Sequence, residues 1–484
     1  MSEESIGQRA RLGLVWNFFS TTGVRVLRTL VFVALARVLL PSDFGLIALA
    51  SFFTSALLLI VDSGFGQLIV QRRETSARLE STAFWFSLAA GATMTLALFG
   101  LSWPLASALG QVDMGPVLRG LSPLFLITGF SSVPGALLLR NMRLKAIGLA
   151  NLFGALGSSV AGLSLALGGA GVWSLVAQTL TEAAITGLFY WLYSPMRVSL
   201  IFDFADLREL VSFGSKVLAG NGLNLLSTRL DDLLIGAVLG PTALGYYTVA
   251  YKLLLQLQDV LLGVAHSVSF PLFSRLQDRR SELRLSWLRL SRLEMSVVLP
   301  VFASAGLLAP ALVLILFGPE WRPSIPVMLV LACIGPAMAL ADLNRNLAVA
   351  TGNPGKALVY VAVNTAVNVV AFSVSVQFGL IWVAASYVLR AYFLLVPSFW
   401  LVRPFITFRW IEVVRAVAPS VACTASAFLV GLSLIAFIPQ EVDTIARALV
   451  AEVGFAATFV LLLQRLAQDV LAEARQLLPN RSRS

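Results

Sequence analysis

Apolar residues gather along this chain in long runs with little polar interruption, and the runs recur from one end to the other. A helix that crosses the hydrocarbon layer of a bilayer needs about 20 such residues. Runs of that length are read at 13–39, 45–70, 82–109, 117–139, 146–167, 171–193, 210–239, 245–272, 293–317, 324–349, 358–378, 380–402, 416–438 and 444–464. The slightest divisions are at 167/171 and 378/380, where only GGAG and FG intervene. Alternating strand runs of the barrel type are absent. The pattern predicts an all-α integral membrane protein of about 14 transmembrane helices.

Composition agrees. Of the 484 residues 58% are hydrophobic and 12% charged, against about 25% charged in soluble domains. The formal charge of +10 sorts by side of the membrane. With the N-terminus in the cytoplasm, the inside segments take Arg9, Arg11 and Arg73, the arginines from Arg275 to Arg292, and Arg475, Arg481 and Arg483 among others. The outside loops keep only Arg119, Arg322 and Arg447. Such asymmetry predicts both termini inside and an even helix count, and it explains the charge without nucleic acid. The start, MSEESIGQRARLG, lacks the pattern of a cleaved signal peptide, so the first helix is expected to serve as an uncleaved anchor. The basic stretch SRLQDRRSELRLSWLRLSRLE has Leu and Trp at helical spacing and is expected to lie as an amphipathic helix on the inner leaflet.

An internal repeat organises the chain. LPSDFGLIALA at 40–50 matches GPTALGYYTVA at 240–250, with Pro41 over Pro241, Gly45 over Gly245 and Ala50 over Ala250. Six helices separate the copies, so the halves share one orientation, as parallel repeats do. The expected domains are an N-terminal lobe at 1–193, a cytoplasmic linker at 194–209, a C-terminal lobe at 210–402, and helices 13–14 with a tail at 403–484.

Charges inside the apolar runs are the candidate functional residues. The deep cations are Arg25, Arg28, Lys216, Arg229, Lys252, Arg345 and Arg390; the deep anions are Asp62, Glu182, Asp231, Asp232, Asp259 and Asp342. A charge at the helix centre costs about 2.5–3.5 kcal/mol on insertion scales, so these groups pair with each other or line an aqueous cavity. Helical spacing offers partners for some: Arg229 with Asp232, Asp342 with Arg345, Lys252 with Asp259. Asp62, Asp231, Asp232, Lys252, Asp259, Asp342 and Arg345 are therefore read as ion-coupling or charge-pairing residues. Arg25 and Arg28 share a face of helix 1 without a nearby acid, and Arg390 is equally alone on helix 12. Their partner is either an acid from another helix, with Asp62 and Asp231 the candidates, or an anionic ligand, for which arginine's bidentate fork suits phosphate. Arg25, Arg28, Arg390, Lys216 and Arg229 are the candidate substrate-binding set. The single histidine, His266, is read as an interface residue before a proton relay. Asp62-Ser63-Gly64-Phe65-Gly66 interrupts helix 2, either to unwind it or to let another helix approach.

Several chemistries are excluded. GxxxxGK[ST], HExxH, GxSxG and CxxC are all missing, and Cys333 and Cys423 lie in apolar segments without metal spacing. No cofactor is expected, and transport is favoured over catalysis.

The ordered set LARVLLPSDFGLIALA, DSGFGQLIVQRRE, STAFWFS, LDDLLIGAVLGPTALGYYTVAYKL and FGPEW resembles the polysaccharide-transport flippases (O-antigen and exopolysaccharide) of the multidrug/oligosaccharidyl-lipid/polysaccharide superfamily, over residues 10–465. The resemblance implies two six-helix lobes in a V, facing alternately in and out of the bacterial inner membrane. It implies a polyprenyl-diphosphate-linked glycan as cargo, held in a cationic interlobe cavity that Arg25 and Arg28 would face, and a polymerase and glycosyltransferases as pathway partners. The alternatives are a lipid II flippase and a multidrug/cation antiporter of the same superfamily. A cavity with this many cations disfavours the antiporter. A membrane polymerase or ligase is disfavoured by the short outside loops.

The topology is testable with single cysteines in a background lacking Cys333 and Cys423. An impermeant thiol reagent added outside should label positions 43, 242 and 320 and spare 75, 143 and 280. Outside labelling at 280 would overturn the scheme.

Overall fold

A computed structural model of the chain describes residues 23–62, 65–72, 75–439 and 441–466. Arg9, Arg11, Ser63, Gly64, Arg73, Arg475, Arg481 and Arg483 lie outside them, as does the side chain of Lys216. The first described helix, α1, covers 23–38. Then follow α2 (Pro41–Asp62), α3 (Phe65–Gln71), α4 (Ala77–Ala108), α5 (Met114–Leu121), α6 (Pro123–Arg140), α7 (Leu144–Leu167), α8 (Val172–Tyr193), α9 (Phe204–Val238) and α10 (Pro241–Leu276). The second half holds α11 (Arg280–Leu307), α12 (Ala309–Leu316), α13 (Ser324–Leu331), α14 (Gly335–Ala350), α15 (Pro354–Ser375), α16 (Leu380–Val402), α17 (Trp410–Phe437) and α18 (Thr444–Leu466), with short 3-10 turns between some of them. No strand occurs among the described residues.

The described residues of the expected segments lie mostly on helix, with turns at Ser122 and Leu308 inside two of them; residues 13–22 of the first expected segment lie outside the described residues. Eleven helical segments are long and apolar enough to cross a membrane. Outside the eleven are the described part of α1, the long helices α8 and α9, and the short helices α3 and α12. Lys216, Arg229, Asp231 and Asp232 interrupt the apolar run of α9.

The chain divides into two compact units, Met1–Gly245 and Tyr246–Ser484. The division falls inside α10, so its first residues belong with the first unit, and so does all of α9. Within that unit α7 packs on α8, α4 and α8 pack on α6, and α9 lies along α2. Helices in lipid gain little from apolar contact, so close backbone approach through small residues has to hold them. At the α4–α6 crossing a methyl added at Gly91 would run into the Phe125 carbonyl, and one at Gly129 into the Ser87 carbonyl. The repeat copies meet in the same reciprocal manner. A Cβ at Gly45 would overlap the carbonyl of Pro241, and a Cβ at Gly245 that of Pro41. The two prolines open α2 and α10, where a missing backbone N–H is no loss.

Polar fasteners fix the start of α9. Trp85 Nε1 donates to the Ser199 carbonyl at 2.9 Å. Asp203 then caps the helix, accepting from the backbone N–H of Ala205 at 2.7 Å and of Asp206 at 3.3 Å. Arg78 pairs with both Asp203 and Asp206. The Ala205 N–H, with Arg78 behind it, holds the Asp203 carboxyl below the usual carboxylate range.

In the second unit α11 packs on α17, α17 on α18, and α16 on both α14 and α15. The expected surface helix is corrected here. Residues from Arg280 onward continue without a break into the spanning part of α11. Leu283 and Trp287 are fully buried in a cluster with Phe273, Leu343 and Phe399. Trp287 Nε1 donates to Asn344 Oδ1 at 2.9 Å, and Arg284 pairs with Glu412 at 3.3 Å. The apolar stripe is buried against protein helices, where the indole N–H finds an acceptor that lipid could not supply.

The reciprocal glycines are testable. Gly45→Ala and Gly245→Ala should each lower the thermal midpoint, by an overpacking penalty of about 1–3 kcal/mol. Gly100→Ala, with open space around it, should not.

Candidate functional site

Helix α1 presents Arg25 and Arg28 one turn apart, both exposed. Arg28 Nη2 forms an ion pair with Glu182 Oε1, near the middle of α8. The partner considered from sequence was Asp62 or Asp231; the structure supplies Glu182. Both residues are carried on apolar helices, so the pair offsets a charge that lipid would not tolerate. No ion-pair partner for Arg25 stands among the described residues, and the Arg25 carbonyl accepts from Thr29 Oγ1 at 2.9 Å. Asp62 is exposed at the end of α2. On α9, Arg229 pairs with Asp232 at 3.7 Å across one helical turn, and Asp231 is buried.

In the second unit Lys252 and Asp259 are both exposed along α10. Asp342 of α14 gathers two partners. Its Oδ1 takes Arg345 from the same helix, and its Oδ2 takes His266 Nε2 from α10. The carboxylate side chain is 13% exposed, while His266 and Arg345 are 41% and 44% exposed. Arg390 of α16 is buried at 6%. Its Nη1 donates to Asn364 Oδ1 of α15 at 2.6 Å, and its guanidinium lies 4.6 Å from the centre of the Tyr387 ring.

Three acids have roles that inspection of the sequence did not reveal. Glu182 was visible as a deep acid but is 154 residues from its partner. Glu294 closes the basic stretch SRLQDRRSELRLSWLRLSRLE and opens the apolar run 293–317; its Oε2 is buried without a hydrogen-bond partner. Glu452 interrupts the apolar run of α18 and accepts from Ser304 Oγ at 2.6 Å. Glu452 lies inside the apolar run 444–464 and Glu294 at the start of the run 293–317, so both are visible in the sequence as acids in apolar segments.

A comparison with known families matches residues 34–326 to the family described as polysaccharide biosynthesis protein. Among characterised relatives, the teichuronic acid biosynthesis protein TuaB of Bacillus subtilis (strain 168) is 23% identical over 351 residues, 72% of each chain. The succinoglycan biosynthesis transport protein ExoT of Rhizobium meliloti (strain 1021) is 29% identical over 319 residues, 66% of this chain and 64% of that protein. Among solved structures, the lipid II flippase MurJ in an inward closed conformation matches with a TM-score of 0.75, covering 94% of this chain and 100% of the other at 11% identity. At that identity the match speaks for the fold.

The Arg28–Glu182 pair is open to a double-mutant cycle read by thermal unfolding in lipid. Glu182→Gln alone leaves a lone guanidinium on α1 and should destabilise. Adding Arg28→Ala should recover most of the loss. The coupling should exceed about 1 kcal/mol, the upper range of water-exposed pairs. A coupling near zero would mean that the pair does not form.

Proposed function

The chain belongs to the polysaccharide biosynthesis protein family, and from that premise we propose that it is a flippase of the multidrug/oligosaccharidyl-lipid/polysaccharide superfamily. It carries a lipid-linked oligosaccharide across the bacterial inner membrane by alternating access, for assembly of a surface polysaccharide. The observation that carries this reading is the family match over 34–326. The transport function named for ExoT and the shared fold of MurJ support it. The cargo is a polyprenyl-diphosphate-linked glycan, and a polymerase and glycosyltransferases act before and after the transfer. The protein moves the glycan without altering it. Its termini lie in the cytoplasm.

The charges divide the labour. Arg25 is the foremost candidate for the diphosphate, because it is exposed on a helix that cannot hold a lone cation in lipid. A guanidinium meets a phosphate through two parallel N–H donors, which a lysine cannot reproduce. Arg28 is steadied by Glu182 and contributes field and position beside Arg25. Lys216 and Arg229 belong to the same candidate set. Arg390 donates from Nη1 to Asn364 and lies over the Tyr387 ring, while its buried Nε has no hydrogen-bond partner; it remains in the candidate set as the member from the second unit.

The test is surface glycan display in a strain whose own copy is deleted. Arg25→Ala should abolish most display and leave undecaprenyl-linked oligosaccharide accumulating, with the protein still inserted. Arg25→Lys should restore it in part. Full display by Arg25→Ala would remove Arg25 from the site. Loss of cell-wall synthesis with normal surface glycan would favour a lipid II carrier.

A further inference from the structure

The Arg28–Glu182 pair differs from the other deep charge contacts in how little holds it. One guanidinium nitrogen, Nη2, meets one carboxylate oxygen, Oε1. Among the described residues the Glu182 side chain takes no second donor, and the other N–H groups of Arg28 reach no acceptor. The two side chains are 52% and 31% exposed. Asp342, by contrast, is held by two cations and is 13% exposed, and Arg390 is buried. Neither charge of the first pair can stand against hydrocarbon, so their open sides require an aqueous surrounding. An ion pair that water reaches contributes little to stability and opens at small cost.

Of the two partners Arg28 is the one free to move. Glu182 belongs to α8, which packs along α7. Gly154 of α7 lets the helices approach so closely that an added Cβ would overlap Thr186 Oγ1 and stand 3.3 Å from the Glu182 carbonyl. The backbone that carries the carboxylate is thereby fixed. An arginine side chain can change rotamer and swing its fork while α1 stays in place. Arg25 stands one turn before Arg28, exposed and without an ion-pair partner among the described residues. Residues three apart on a helix are neighbours, about 5–6 Å between Cβ atoms. One swing takes the Arg28 fork from the carboxylate to an anion already held at Arg25.

We propose that Glu182 is a resident stand-in for the anionic cargo: it holds Arg28 while the site is empty, yields it to the diphosphate on loading, and takes it back as the cargo leaves. The exchange rests on the reading that Arg25 and Arg28 meet the diphosphate, and it adds what lets the site release. No covalent bond changes; one ion pair is traded for another. Two arginines free of any competitor would hold a diphosphate through several charge-assisted hydrogen bonds and release it slowly. The carboxylate and the diphosphate exclude each other at Arg28, so each weakens the hold of the other by the same factor. Glu182 is in this role a positioning residue, acting on the cargo through Arg28.

Binding to the full chain in lipid nanodiscs tests the exchange, with inorganic pyrophosphate as a soluble probe and undecaprenyl diphosphate as a membrane-borne one. Glu182→Gln should bind both roughly five- to tenfold more tightly, about 1–1.4 kcal/mol at 1.4 kcal/mol per decade. Glu182→Asp keeps the charge and shortens the reach; it should tighten binding by less, which separates the lost contact from the lost field. Should Glu182→Gln fail to insert, Glu182→Asp decides. In an Arg28→Ala background, Glu182→Gln should no longer tighten binding. Pyrophosphate should raise the thermal midpoint of Glu182→Gln more than that of the unaltered protein, because the anion fills the vacated place at Arg28. Glycan display by Glu182→Gln should fall although loading improves. A pair that serves only the fold would cost stability and leave affinity unchanged or weaker. That result in both Glu182→Gln and Glu182→Asp, with binding still abolished by Arg25→Ala, overturns the exchange and leaves the flippase reading standing. Tightening for pyrophosphate alone assigns the exchange to a free anion and overturns its part in transport. Binding that is absent from the unaltered protein, or indifferent to Arg25→Ala, overturns the diphosphate reading and the exchange with it.

Discussion

Lipid tails offer a charge no counterpart, so a charge placed at that depth has to find one within the protein or face an aqueous cavity. That requirement governs where the polar side chains of this chain stand. Arg28 draws α8 to α1 through Glu182. Asp342 draws α10 to α14 through His266. Arg390 ties α16 to α15 through Asn364. Each contact crosses from one helix to another. Arg229–Asp232 and Asp342–Arg345 stay within one helix, where spacing alone allows them. The cross-helix contacts fix which helices are neighbours. The within-helix pairs only lower the penalty of keeping charge at that depth.

Apolar burial cannot supply the rest of the cohesion, because lipid is as apolar as the helix faces it would meet. The first unit answers with glycine. At Gly91 and Gly129, and again at Gly45 and Gly245, a backbone carbonyl of the facing helix occupies the place of a side chain. The second unit relies more on buried aromatic and amide groups, with Trp287 bonded to Asn344 and ringed by Phe399 and Phe408. Both devices replace a force that the solvent no longer provides.

The helices were legible from the chain because the bilayer imposes a length, and runs near that length stand out. The repeat was legible because Pro41 and Pro241, with Gly45 and Gly245, recur at a constant offset; that the two copies touch each other's carbonyls could not be read from the offset. Pairs three residues apart were legible from helix geometry. Glu182 was not, since any deep acid on any helix was an equal partner for Arg28. The burial of the basic stretch at 274–292 was not legible for a related reason. An amphipathic pattern states that one face is covered, and says nothing about whether lipid or protein covers it.

The distance in sequence between Arg28 and Glu182 has a consequence for how the protein is made. The two are separated by 154 residues. At about 5–20 residues per second, the ribosome needs roughly 8–30 s to deliver the acid after the arginine has emerged. During that interval α1 resides in or beside the membrane with a bare guanidinium. The nascent chain therefore depends on the insertion machinery, or on a shallow and tilted placement of α1, until α8 arrives. The charge of α1 is in this sense settled only when the eighth helix arrives.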